Sequence, residues 1–276
     1  MQWFEGGVNL TNERFSACIT EIIGKAEQAG VERLVVIATD LEHSAAALTL
    51  CERFPHQLQT TIGIHPHNAS AAPENFIAQL RQLSTHPSVC AIGECGLDFN
   101  RNFSTPADQI RVFEAQLQLA IELQLPVYLH ERDALTTQIQ LLQRYGPQIP
   151  RLFSHCFTGG PTELAAYQAL DCYIGVTGWV CDERRSEALR AAIPLIADDR
   201  LILETDAPYL VPRTLRPRPR FNEPCYLPVI ADQVAQLRNQ SLQQLADLTW
   251  RNATRLFTQP VANADSSKDS DDPLSG

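Results

Sequence analysis

The chain has 276 residues, enough for one large α/β domain or two small ones, and its 44% hydrophobic and 20% charged content is that of an ordinary globular protein. A formal charge of −10 argues against a broad basic face that coats duplex nucleic acid, but it leaves room for an enzyme that handles phosphates through bound cations. No apolar run approaches the ~20 residues of a bilayer span, and the opening MQWFEGG lacks the basic and apolar regions of a secretory leader. A cytosolic protein with no membrane partner is expected.

The eight cysteines are scattered with none at CxxC spacing, so they read as reduced, mostly buried thiols rather than a zinc knuckle or a disulfide frame. From Thr258 onward, TQPVANADSSKDSDDPLSG holds four Asp, one Lys and several turn formers. That composition predicts a disordered acidic tail over 258–276 and a single domain over 1–257.

Within that domain short apolar runs alternate with amphipathic segments. Gly7 to Leu10 follows Trp3 and Phe4 as a weak first strand, and helical spacing from Glu13 to Ala29 stops at Gly30. Strands are then predicted at Leu34–Thr39, Thr60–Ile64, Val89–Glu94, Pro126–His130, Leu152–His155, Cys172–Thr177 and Leu201–Glu204. Helices fall between them at Leu41–Phe54, Asn75–Leu83, Pro106–Leu125, Ala134–Tyr145, Thr162–Leu170 and Arg185–Ile196, and two more close the domain at about Tyr226–Leu237 and Leu242–Phe257. Near-continuous apolar strands mark parallel pairing buried on both faces, and eight βα units predict a TIM (β/α)8 barrel, with a doubly wound open sheet as the alternative. No GxGxxG or GxxxxGK[ST] loop follows the first strand, so a nucleotide cofactor lacks its fingerprint.

The strand ends carry the chemistry. His65 and His67 follow the third strand, Glu94 ends the fourth, His130 the fifth and His155 the sixth, while Asp206 follows the eighth. In a barrel all carboxyl ends meet at one mouth, so these residues are expected to share a pocket. Imidazoles and carboxylates together form a ligand set for magnesium, manganese or zinc. Glu94, His130, His155 and Asp206 are the expected metal set. Asp206 is placed as general base, and His65 to orient or protonate a leaving oxygen; Glu94 joins them in the catalytic set, and His67 has no assigned role.

Arginine forks match phosphate oxygens, and Arg213, Arg216, Arg218 and Arg220 stand on a proline-stiffened loop after Asp206, expected at the same rim. Arg184 and Arg185 form a second patch beside Trp179, an aromatic that either stacks a base or packs in the core.

The motifs GECGLDFNRNFSTP (93–106), HERDA (130–134), SHCFTG (154–159), YIGVTGWVCDERR (173–185), ETDAPYL (204–210) and NEP (222–224), together with GVNLT and GIHPH, resemble the TatD-type deoxyribonucleases over the whole chain up to the tail. Within that family the resemblance is to the TatD subgroup. It implies a metal-dependent barrel hydrolase of phosphodiester bonds, a magnesium-dependent 3′-5′ exonuclease acting on the 3′ ends of single-stranded DNA and RNA and linked to repair. It also implies that Glu94, His130 and His155 match metal-binding positions, Asp206 a catalytic or metal-binding aspartate, and His65 a motif histidine at the mouth.

One departure stands out. Most of the family opens with Asp-x-His-x-His on the first strand, where this chain has Glu5-Gly6-Gly7-Val8-Asn9. Both imidazoles are absent, as in the TatD subgroup, which favours weakly held magnesium over tight zinc. The competing readings are an amide or lactone hydrolase on the same barrel and a catalytically weak nucleic-acid binding protein. A monomer is expected.

Overall fold

A computed structural model of the protein describes residues 1–258. Eight strands pair in parallel in the order of the sequence: β1 (Trp3–Val8), β2 (Val31–Val36), β3 (Leu58–Ile62), β4 (Val89–Asp98), β5 (Val127–Arg132), β6 (Leu152–Ser154), β7 (Tyr173–Val176) and β8 (Leu201–Leu203). The first and last strands are joined just beyond β8. Asp206 N–H donates to the Gly7 carbonyl at 3.0 Å, and Asn9 N–H to that of Ala207 at 2.8 Å. Glu5 reinforces this seam, its Oε1 accepting the N–H groups of Gly7 (3.1 Å) and Thr205 (2.7 Å). The sheet thus forms the expected TIM barrel.

Around it run α1 (Ile19–Gln28), α2 (Leu41–Arg53), α3 (Phe76–Leu83), α4 (Pro106–Leu123), α5 (Leu135–Tyr145), α6 (Pro161–Gln168), α7 (Glu187–Ala192), α8 (Leu227–Arg238) and α9 (Leu242–Phe257). Local sequence starts several of them. Thr105 caps α4 by accepting the Asp108 N–H at 3.2 Å with Pro106 in its first turn, and Ser241 and Gln244 form a capping box on α9.

Two apolar layers follow from the pleat. Residues such as Val36, Ile62, Ile92 and Leu129 join the helices in the larger core, while Val35, Ile37, Tyr128, Phe153 and Ile202 fill the barrel itself. The end of α9 plugs the barrel floor, where the Phe257 ring lies 5.8 Å from Phe4 and 5.7 Å from Phe153. A packed floor leaves the opposite mouth as the place where polar side chains gather.

Several boundaries differ from expectation for identifiable reasons. The first strand begins at Trp3 rather than Gly7, because all six of its residues are buried against β2. The long first helix is broken: Asn12 caps a 3-10 turn over Glu13–Phe15, and α1 starts only at Ile19. Pro194 ends α7 early, in a 3-10 turn over Ile193–Leu195. Most consequential is β4, which does not stop at Glu94 but continues to Asp98; its register with β5 shifts at Glu94, which has no partner there, and resumes from Cys95 to Asp98. The predicted tail over 258–276 lies outside the described residues apart from Thr258, which closes α9.

Candidate active site

Glu94 sits between two glycines that the backbone requires. Gly93 and Gly96 have φ of +142° and +141°, and a Cβ at either would collide with the carbonyl of Tyr128 or of His130 on β5. The GECG stretch therefore lets β4 lie tight on β5 while it presents Glu94 at the mouth. There the Glu94 Oε1 accepts from His130 Nδ1 at 2.9 Å and stands 3.5 Å from His65 Nε2.

The extra turn of strand supplies a second carboxylate. Asp98 Oδ2 takes His67 Nε2 at 2.6 Å and His130 Nε2 at 3.3 Å. The three imidazoles lie edge to face, with centroids 4.3 Å apart for His65 and His67 and 4.4 Å for His65 and His130. His130 is thus held through both ring nitrogens. Burial opposes its charge, but the hydrogen bonds to Asp98 and Glu94 raise it to about 9. Burial likewise opposes ionisation of Glu94 and Asp98, and the surrounding imidazoles outweigh it and hold both well below the usual carboxylate range. His65 goes the other way, pulled by burial down to about 4. Its Nδ1 accepts the His67 backbone N–H at 3.1 Å, so the neutral ring carries its proton on Nε2, toward Glu94. Orientation of an oxygen by that N–H fits this geometry; donation of a proton does not.

Across the mouth, His155 is set by β6 and β8. Its Nδ1 meets the Glu204 Oε2 at 2.5 Å, and its Nε2 lies 3.7 Å from Asp206 Oδ1. Glu204 is fully buried and saturated: Tyr128 Oη donates to its Oε2 at 2.8 Å and Cys156 N–H to its Oε1 at 2.9 Å. Burial works against a charged His155, but Glu204 raises it to about 10. Asp206 is raised to about 7, chiefly by burial, although Asn9 Nδ2 donates to its Oδ1 at 2.8 Å.

All the expected site residues therefore reach one cavity of about 450 Å³, lined by His65, His67, Glu94, His130, His155 and Asp206 among others. Their donor atoms divide into two groups. His65, His67 and His130 form one, and His155, Cys156 and Asp206 the other, each with ligand atoms within 4.8 Å of one another. The expected set of Glu94, His130, His155 and Asp206 is split between them, with Glu94 bonded to the first. Nitrogen and carboxylate donors at these separations fit a divalent cation, and their lone pairs become available as protons leave His130, His155 and Asp206.

The missing first-strand imidazoles also find a structural reason. A Cβ at Gly7 would collide with Tyr128 Oη and stand 2.7 Å from Glu204 Oε2, so the Tyr128–Glu204 pair occupies the space a side chain there would need. Asn9 is engaged with Asp206.

Asp98, Tyr128, Glu204 and Asn9 were assigned no role from sequence. For Tyr128 a signal existed: it stands two residues before His130 on one strand and so faces the same side. The arginines expected at the rim are engaged as follows. Arg213 pairs with Asp182 at 3.5 Å, and Arg216 Nη1 donates to the carbonyls of Arg213 and Leu215 at 2.6 and 2.7 Å. None of the four arginines lines the cavity; Arg132 on β5 does, as does Trp179.

A parallel barrel whose mouth gathers buried imidazoles and carboxylates is the frame of a metal-dependent hydrolase. The profile of the family described as "TatD related DNase" matches residues 6–258. The chain is 50% identical over 256 residues to the "3'-5' ssDNA/RNA exonuclease TatD" of Yersinia pseudotuberculosis, covering 92% of this chain and 98% of that one. It is 49% identical over 253 residues to the protein of the same name from Edwardsiella piscicida, covering 91% and 97%. Among solved structures, the TatD homologue YJJV of Escherichia coli superposes with a TM-score of 0.85 at 28% identity, over 94% of this chain and 98% of that one. The chain belongs to the TatD related DNase family.

Proposed function

We propose that the chain is a magnesium-dependent 3′-5′ exonuclease that hydrolyses phosphodiester bonds of single-stranded DNA and RNA, with manganese or zinc able to replace magnesium. The observation that supports this best is the pairing of two donor groups in a cavity sized for a nucleotide, in a chain about half identical to relatives so named. Glu94, His130, His155 and Asp206 would hold the ion. Bound there, a divalent cation polarises a phosphoryl oxygen and eases loss of a proton from water.

The remaining steps belong to side chains. Asp206, raised to about 7, is matched to accept a proton from the attacking water at neutral pH, and Asn9 holds one of its oxygens and leaves the other for that water. His65 Nε2–H orients an oxygen of the scissile group, while Glu94 fixes His65 and His130. Among the described residues no helix is long and apolar enough to cross a membrane. The eight unpaired thiols suit a reducing compartment, so we place the protein in the cytosol, as a monomer, in nucleic-acid degradation or repair.

Digestion of 5′-labelled single-stranded and duplex oligonucleotides, with magnesium or with chelator, tests the reading. Stepwise shortening of single strands from the 3′ end, abolished by chelator, is expected. Protein that shortens no strand under magnesium would sink it.

A further inference from the structure

A second depression, about 660 Å³, opens from the active-site cavity and shares Glu131, Arg132, Thr158 and Trp179 with it. It runs between the loops that follow β5 and β6 and reaches Arg185. Trp179 is the wall common to both spaces, half-buried against the core with the Arg185 guanidinium 5.8 Å from its ring centre. Trp179 therefore borders the point where the cavity becomes a groove, with Arg185 as its partner on the groove side.

Charge in this groove is distributed in a particular way. Each of its acids accepts from a neighbouring N–H: Glu131 Oε1 from Ala134 at 2.7 Å, Glu163 Oε2 from Gly160 at 2.9 Å, and Asp133 Oδ2 from the Asn100 amide on the segment after β4 at 2.6 Å. Arg132 and Arg185, by contrast, are exposed and have no carboxylate partner among the described residues. Arg184 and Arg213, close by in the fold, are both drawn to Asp182 and so are not available in the same way.

We infer that this groove is the subsite for the strand upstream of the terminal nucleotide, with Trp179 stacking a base and Arg132 and Arg185 each meeting a phosphate. The inference rests on the exonuclease reading and assigns the path by which the rest of a single strand leaves the cavity. An aromatic face plus isolated guanidiniums is the combination by which single strands are held without sequence preference, since every base has a π-face. A groove with two available cations and satisfied acids selects for stacking over charge, so few phosphates are bound.

The test is the length dependence of turnover. On a series from di- to hexanucleotide, kcat/KM should rise until the groove is filled and then level. Trp179→Leu should cut the hexanucleotide-to-dinucleotide ratio of kcat/KM about 10-fold, within what stacking supplies, and Trp179→Phe should restore most of it. Arg185→Ala, distant from the reacting atoms, should lower the same ratio and take about 0.7 from the log–log slope with which kcat/KM of the hexanucleotide falls on added salt. If strands are shortened but both Trp179→Leu and Arg185→Ala leave the ratio unchanged, the groove assignment is wrong and the exonuclease reading stands. If Trp179→Leu does not fold, the Arg185→Ala ratio and slope decide alone. If the unaltered protein shortens no strand, both readings fall together.

Discussion

On the β3–β5 side of the mouth, three imidazoles lie edge to face and share two ionised carboxylates, and the side chains of His67 and His130 keep 29% and 22% of their exposure. On the β6–β8 side a single imidazole, His155, is 4% exposed and served by one carboxylate, Glu204, that is exposed to no extent at all. The first arrangement is a shared network in which each acid fixes two rings. The second is a dedicated clamp, closed further by Tyr128 and Cys156. A shared network is adjustable and near water; a dedicated clamp fixes one ring nitrogen so that the other, Nε2, faces the cavity. Under the proposed reading, the pair would hold an ion rigidly from one side and adaptively from the other.

The largest effect should come from the carboxylate at the centre of the shared network. Glu94→Ala removes the acceptor of His130 and the neighbour of His65 together, and kcat/KM is expected to fall on the order of 10³-fold or more, as for groups that act as a unit. Circular dichroism would confirm that the barrel persists. A variant retaining more than a tenth of the activity would show that the shared side does not need its acid.

Next is the clamp. Glu204→Gln keeps the shape but removes the charge that holds His155, and cation affinity, read by manganese titration, should weaken about 10–100-fold. An unchanged affinity would mean that the β6–β8 half does not hold the ion.

Proton occupancy offers a third test. Asp206 titrates near 7, so cation affinity should drop as pH falls through 7, by up to about tenfold per unit for each proton displaced. The metal-free protein should show the opposite trend in stability. His130 and His155 are raised to about 9 and about 10, so their contribution is complete below about 6.5 and lost as pH rises through those values, while Asp206 has lost its share by 7. Its melting temperature should therefore fall between pH 6.5 and pH 9, and saturating cation should flatten or reverse that fall. A metal-free melting temperature that rises over this range would contradict the assigned protonation of both halves.

The smallest effect probes the floor of the clamp. Gly7→Ala places a methyl group against Tyr128 Oη and should cost about 1–3 kcal/mol in thermal unfolding, partly recovered by Tyr128→Phe. Recovery by the double variant would establish that Tyr128 and Glu204 fill the space left by the missing imidazole.

The alternation of eight apolar runs with amphipathic segments was legible from Leu34 to Phe257 because burial on both faces and helical spacing are local properties of the chain. For the same reason the strand-end ligands Glu94, His130, His155 and Asp206 could be named before any contact was known: a barrel sends every strand end to one mouth. Sequence did not reveal which group each ligand serves. Asn9 meets Asp206 across 197 positions, Glu204 meets His155 across 49, and His67 meets Asp98 across 31. Such pairings depend on the closure and stagger of the barrel. The run of β4 past Glu94 to Asp98, the filling of the Gly7 site by Tyr128, and the diversion of Arg213 to Asp182 were likewise decided only by the tertiary structure. Residue type and local period set which groups arrive at the mouth; the packed geometry of neighbouring strands sets which of them share a proton, a charge or an ion.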